Sequence, residues 1–272
     1  ELVAPGKTTL TTVRLWFAAY AFVHLFAALL YGARWFDKGD AFEAYSTLFG
    51  RLSPLGRRRS DGRLVLRDPL VGLATLAPAP GLVAIVSVML GSTAFDGFSM
   101  GPDWIRFLQT SGVDATLAST AALLGFVLVV AVTFWLATLA AGGLSGVHAR
   151  LPGRFAPSVI PIALGYVVAH YVTLLVLEGQ RTLILLSDPL ARGWNLLGLS
   201  DREVATGLAE NPGVVAVVKV AAVVLGHVVG IVAAHDRAVA SFPRTTALVG
   251  QLPLLLVMVG YTLGGLTLLF AT

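Results

Sequence analysis

Three histidines, His24, His170 and His227, each lie inside a long apolar stretch of the chain. An ionisable side chain at membrane depth is costly unless a partner, a cavity or a bound group compensates for it. Neutral imidazole is a common ligand of zinc, copper and iron, and three protein ligands with one open position are typical of catalytic zinc. These residues therefore predict a divalent metal site, zinc or copper, where three helices bring the rings together.

Two carboxylates accompany the histidines in the outer half of the apolar stretches. Asp96 or Glu178 could hold a histidine tautomer, or could serve as the base when metal-bound water attacks an ester or phosphoryl centre. Further polar side chains share the helix faces or the depth of the histidines, and they complete the expected pocket. These side chains are Arg14, Lys219, Tyr20 and Tyr166.

Three other interpretations of the same residues stay open. A transporter or a non-enzymatic membrane subunit could use them to conduct protons or to bind a solute. His24 and His227 lie at similar depth, as the two axial ligands of a b-type haem would. Each histidine could also simply hydrogen-bond a hydroxyl or carbonyl of the next helix. The residues alone therefore do not decide whether the protein is an enzyme.

The elements that must position these side chains are membrane helices. Of the 272 residues, 56% are hydrophobic and only 12% are charged, whereas soluble domains carry about 25% charged residues. Repeated apolar runs of roughly 20 residues indicate helices rather than barrel strands. The chain has no cysteine, which excludes disulfides and thiolate metal sites. We expect an all-α, multi-pass bundle of the cell (inner) membrane that forms one domain, residues 1–272.

Six spans are predicted from the apolar runs. They are Leu10–Ala33, Leu82–Met100, Ala115–Ala141, Val159–Leu177, Val214–His235 and Ala247–Ala271.

Charge asymmetry predicts the orientation of these spans. Residues 34–80 hold eight cations, and the loops after the third and fifth spans hold two each, so twelve of the nineteen cations lie on one side. By the positive-inside rule these loops are cytoplasmic and both termini face outward. Because the cations sit beside spans, the bilayer is the expected partner and nucleic acid is not.

Two of the loops are expected to carry structure. In residues 34–80, Asp40 should cap an amphipathic helix through about Leu52 that lies at the interface near Arg57–Arg59. We expect residues Arg63–Leu66 to form at most a short extended segment. The outer loop, residues 178–212, should cap the bundle and contain a short helix from Asp201 to Glu210.

Several short sequence motifs resemble those of a known protein family. The runs 40–42, 48–54, 61–64 and 93–99 (DAF, LFGRLSP, DGRL and TAFDGFS) resemble actinobacterial membrane proteins known as fenitrothion hydrolase-like. The resemblance covers most of the chain and implies hydrolysis of an organophosphate triester at the membrane. It supplies no catalytic motif, so the candidate site residues come from the polar side chains alone.

Members of that family carry further spans upstream. The resemblance, the outward N-terminus and a first residue, Glu1, that is not methionine together suggest the later part of such a protein. The missing upstream spans, or other membrane subunits, are therefore expected partners.

Overall fold

The computed structural model describes residues 2–4, 6–58, 60–147 and 150–271. Expectations that involve Glu1 and Arg59 fall outside the described residues. The helices are α1 (Leu10–Tyr31), α2 (Phe36–Gly39), α3 (Ala41–Gly50), α4 (Pro69–Ala74), α5 (Leu82–Ser99), α6 (Pro102–Thr110), α7 (Ala115–Ser145), α8 (Leu151–Phe155), α9 (Ile160–Ser187), α10 (Pro212–Ser241) and α11 (Ala247–Phe270). The strands are β1 (Leu55–Arg57) and β2 (Leu64–Leu66).

Six helical segments of the described chain are long and apolar enough to cross a membrane. Five of them are α1, α5, α7, α10 and α11, and the sixth runs from Leu151 to Ser187 through α8, a 3₁₀ turn and α9. The predicted all-α bundle of six spans is confirmed. Three spans continue beyond their predicted ends, because the helices extend past the apolar core into polar sequence.

Side-chain caps begin several of these helices where the sequence changes from polar to apolar. Asp114 Oδ1 accepts a hydrogen bond from the Leu117 N–H at 2.8 Å, and Thr9 caps α1 in the same way. Such caps satisfy backbone donors that have no partner within the helix.

Small residues let the bundle's helices approach closely. At the α9–α10 crossing, a Cβ on Gly226 would lie 2.4 Å from the Pro161 carbonyl oxygen, and a Cβ on Gly165 would lie 2.5 Å from that of Ala222. Backbone therefore meets backbone at this crossing, as is common where membrane helices associate through small residues. Gly91 plays the same part between α5 and α7, where a Cβ would lie 2.6 Å from Val127 Cα.

The core lies where α5, α7, α9, α10 and α11 pack together. Its fully buried side chains include Phe95, Phe155, Ile160 and Met258. Helix α1 stands beside this core, with Ala27 as its one buried residue, and its extensive contacts within the described chain are with the segment that follows it. Gly32, with φ of 77°, makes the turn that sends that segment back along α1.

The loop at the basic end contains the expected amphipathic helix. It is α3, and Asp40 caps it by accepting the Phe42 N–H at 2.8 Å. The expected extended segment is β2, which pairs antiparallel with β1 in a hairpin that the sequence did not predict.

At the other end, the short helix predicted from Asp201 to Glu210 is wrong. The Gln180 side chain exchanges two hydrogen bonds with the backbone of Ala205, at 3.0 and 3.2 Å. These bonds occupy backbone groups that a helix would need, and they hold this stretch against the end of α9. The helix that does form at this end is α6, with Pro102 at its first position.

Candidate functional site

Asp96 on α5 and His170 on α9 form a buried pair across the interface between the two helices. Asp96 Oδ2 lies 3.1 Å from His170 Nε2, and the two side chains are only 11% and 8% exposed. The Tyr171 hydroxyl donates to the same carboxylate oxygen at 2.6 Å. An oxygen that receives two donors, one at the length typical of O–H···O⁻, is best described as an ionised carboxylate. The imidazole Nε2 then donates to it.

Tyr166 lies one helical turn before His170 and stacks on its ring, with centroids 6.0 Å apart and planes within 9°. Two glycines make room for this tyrosine: a Cβ on Gly97 would lie 2.8 Å from its hydroxyl, and one on Gly265 would lie 2.8 Å from its ring. The Tyr166 hydroxyl is buried and has no hydrogen-bond partner among the described residues. A buried hydroxyl without a hydrogen-bond partner costs free energy. We therefore include the Tyr166 hydroxyl in the candidate site.

Tyr171 joins the cluster from the position that follows His170 on α9. Tyr171 is 36% exposed as a whole residue, and its hydroxyl bonds the buried carboxylate. The site therefore joins a hydroxyl, a carboxylate and an imidazole in one hydrogen-bonded chain.

His227 on α10 has a separate partner on α11. Its Nδ1 lies 2.7 Å from Thr262 Oγ1, and this hydroxyl also lies 3.0 Å from the Met258 carbonyl oxygen. Because the hydroxyl has one hydrogen and the bond to the carbonyl four residues back is the usual one for helical threonine, the imidazole donates from Nδ1. This arrangement matches the interpretation in which a histidine bonds a hydroxyl of the next helix.

His24 lies on α1 among aromatic rings. Trp35 Nε1 donates to His24 Nδ1 at 3.1 Å, and the ring of Tyr20 lies 4.3 Å away, centroid to centroid. The Tyr20 hydroxyl in turn donates to Asp40 Oδ1 at 2.6 Å. This bond lowers the pKa of Asp40, which caps α3. The cluster fastens α1 to the segment that follows it.

The structure gives the three histidines different partners, Trp35 for His24, Asp96 for His170 and Thr262 for His227. No group of three or more histidine, aspartate or glutamate side chains in the described part of the chain is placed to hold a metal ion. The three-histidine metal site expected from the sequence is therefore not assembled there, because α1 stands beside the bundle and α10 directs His227 to α11.

The remaining candidates are also dispersed. Glu178 forms an exposed pair with Arg181 at 3.4 Å, one turn along the same helix. Arg14 is exposed on α1, and Lys219 is half-buried beside Thr173 at the edge of α10. Of the expected pocket, Asp96, His170 and Tyr166 come together. Tyr171 was missed because it is one residue from His170, about 100° around the helix; its position beside the histidine was the available signal.

An apolar cleft of about 200 Å³ lies next to this cluster, among α5, α7, α9 and α11. Tyr166 forms part of its wall, together with Tyr261, Thr262 and the open faces of Gly260 and Gly264. A small apolar molecule from the bilayer could therefore reach the wall that separates the cleft from His170.

Comparisons with known proteins add nothing to this geometry. No protein-family model, curated protein or solved structure matches the chain. Its six apolar helices make the protein an integral, multi-pass membrane protein. A more specific function has to be inferred from the Asp96–His170 pair.

Proposed function

We propose that this protein carries protons across or into the membrane, as a transporter or as a subunit of one, with the Asp96–His170 pair as its proton-binding site. The observation that carries the proposal is a carboxylate and an imidazole bonded at 3.1 Å and almost completely buried between two apolar helices. Ionisable groups in such places mark ion pathways and proton relays.

The neighbours of the pair support a relay. Tyr171 bonds Asp96 and is partly exposed, so a proton that reaches its hydroxyl can pass to the carboxylate. Protonating the carboxylate removes the negative charge to which the imidazole is bonded. The Tyr166 hydroxyl, which has no partner among the described residues, offers a donor for the carboxylate in a second arrangement. Two arrangements of one site are what a carrier requires.

Proton flux into liposomes tests this proposal. The full chain would be reconstituted with an internal pH-sensitive dye, and a potassium diffusion potential would drive protons inward. We expect flux well above that of protein-free vesicles, and a loss of more than about tenfold in Asp96→Asn and His170→Gln. The matched control is Glu178→Gln, which removes a carboxylate from an exposed pair at the same end of the bundle.

Two results would refute the proposal. One is a wild-type flux no faster than that of empty vesicles, and the other is an equal loss in the control. Gel filtration and circular dichroism of each variant separate a loss of transport from a loss of folding.

The family resemblance supports a second candidate, hydrolysis of an apolar phosphotriester. The specific observation in its favour is that Asp96 bonds His170 and that Tyr166, which stacks on this ring, lines an apolar cleft of about 200 Å³. In this mechanism His170 takes a proton from water, the hydroxide adds to phosphorus, and the aryloxide leaves. Release of nitrophenolate from a nitrophenyl phosphotriester, abolished in His170→Gln, would support it, and turnover that survives in this variant would exclude it.

A further inference from the structure

A second cavity, of about 550 Å³, lies at the basic end of the bundle among α4, α8 and α10. We call it the basic-end cavity. Its wall includes the apolar side chains Leu70, Leu76, Ala233 and Ala240 and the cationic side chains Arg154 and Arg237. Its volume falls within the roughly 300–1,000 Å³ that is usual for ligand pockets.

Arg237 is fixed in the wall of this cavity. Its Nη1 donates to the Arg154 carbonyl oxygen at 2.7 Å, and its Nη2 donates to the Leu73 carbonyl oxygen at 2.6 Å. Carbonyl oxygens orient the guanidinium without cancelling its charge, and they leave three of its five N–H donors available. The result is a preorganised cation next to an apolar surface.

The other charges at the cavity leave an excess of positive charge. Arg154 adds a second guanidinium, and this residue is exposed. Its hydrogen bond with Arg237 uses only its carbonyl oxygen, so its side chain is not engaged in that bond. Asp236 also lines the cavity, but no ion pair among the described residues joins it to either arginine. Two cations against one carboxylate favour an anionic ligand.

The combination of surfaces specifies the chemistry of this ligand. Guanidinium groups bind phosphate oxygens through paired hydrogen bonds, and the leucine and alanine walls suit an acyl or glycerol portion. The cavity lies at the end whose loops carry most of the cations, the depth at which basic pockets between membrane helices hold lipid headgroups. We infer that the basic-end cavity binds the phosphate of an anionic phospholipid.

The test uses the purified full chain in neutral detergent. Thermal unfolding is followed as phosphatidylglycerol, phosphatidylcholine or inorganic phosphate is added. We expect saturable stabilisation by phosphatidylglycerol, little by phosphatidylcholine at the same mole fraction, and little by inorganic phosphate at millimolar concentration. A ligand that binds only the folded state raises its stability in this way.

Arg154→Gln is the decisive variant, because the structural bond uses only the Arg154 backbone. We expect its apparent affinity for phosphatidylglycerol to fall about tenfold, the loss of one charge-assisted interaction. The control is Arg244→Gln, which removes an exposed cation that belongs to the loop between α10 and α11 and does not line the cavity; its affinity should be unchanged.

Each other outcome overturns the inference. Equal stabilisation by the two phospholipids, or equal losses in the two variants, would indicate nonspecific attraction to a basic surface. Stabilisation by inorganic phosphate alone, lost in Arg154→Gln, would identify a free phosphate site instead. Unchanged binding in Arg154→Gln would show that the Arg154 guanidinium does not bind the phosphate, and would overturn the inferred two-arginine site.

Discussion

The strength of the Asp96–His170 interaction is the most informative quantity to measure in this protein. A double-mutant cycle would combine Asp96→Asn and His170→Gln and would measure the free energy of unfolding of the full chain in mixed micelles. The cycle isolates the interaction between the two side chains from the other effects of each substitution.

The structure sets the expected magnitude. Hydrogen bonds between neutral side chains of membrane helices average about 0.6 kcal/mol in such cycles, whereas bonds to charged groups contribute about 1.5–3 kcal/mol. Asp96 Oδ2 receives two donors, and both side chains of the pair are almost completely buried. We therefore expect a coupling of about 2 kcal/mol.

The matched comparison is the exposed pair of Glu178 and Arg181, whose side chains are 47% and 59% exposed at 3.4 Å. Exposed pairs typically contribute about 0.2–1 kcal/mol. A coupling of about 0.6 kcal/mol or less for Asp96 and His170 would refute the description of Asp96 as an ionised carboxylate.

Two further predictions concern the frame around the site. Gly226→Ala places a Cβ 2.4 Å from the Pro161 carbonyl oxygen and should lower the free energy of unfolding by about 1–3 kcal/mol. Gly264→Ala, whose Cβ meets nothing within 4 Å, should change it by less than about 0.5 kcal/mol; equal effects would contradict the assigned crossing. The bond from Tyr20 lowers the pKa of Asp40, so the stability that it adds to α3 is complete above the unfolded-state pKa and is lost as pH falls through the lower, folded-state pKa. Tyr20→Phe should shift that loss to higher pH, as measured by amide exchange in α3, and an unchanged pH profile would remove the role of Tyr20.

The sequence predicted the spans well because long apolar runs have few alternatives to a membrane helix. It failed where short polar segments choose among local partners. Residues 201–210 have a helical pattern, yet Gln180 binds the Ala205 backbone and prevents the helix. The strand β1 has only three residues, too few for a periodic signal.

The candidate site was predictable in its residue types and not in its pairing. Asp96 and His170 stood out because ionisable side chains are rare in apolar runs. Which histidine meets which carboxylate depends on helix adjacency, and close glycine contacts such as that of Gly97 on α5 with Tyr166 and His170 on α9 are part of it. The same adjacency separates His227 from His170, since Thr262 on α11 supplies its partner.

The close crossing at Gly165 and Gly226 also has a mechanical consequence. Helices α9 and α10 touch backbone to backbone there, and His170 lies five residues from this contact. Asp96 is carried by α5, which packs more extensively on α7 than on α9. Asp96 and His170 thus belong to two different pairs of closely packed helices, α5 with α7 and α9 with α10. A displacement of one pair relative to the other would lengthen or shorten the bond between carboxylate and imidazole.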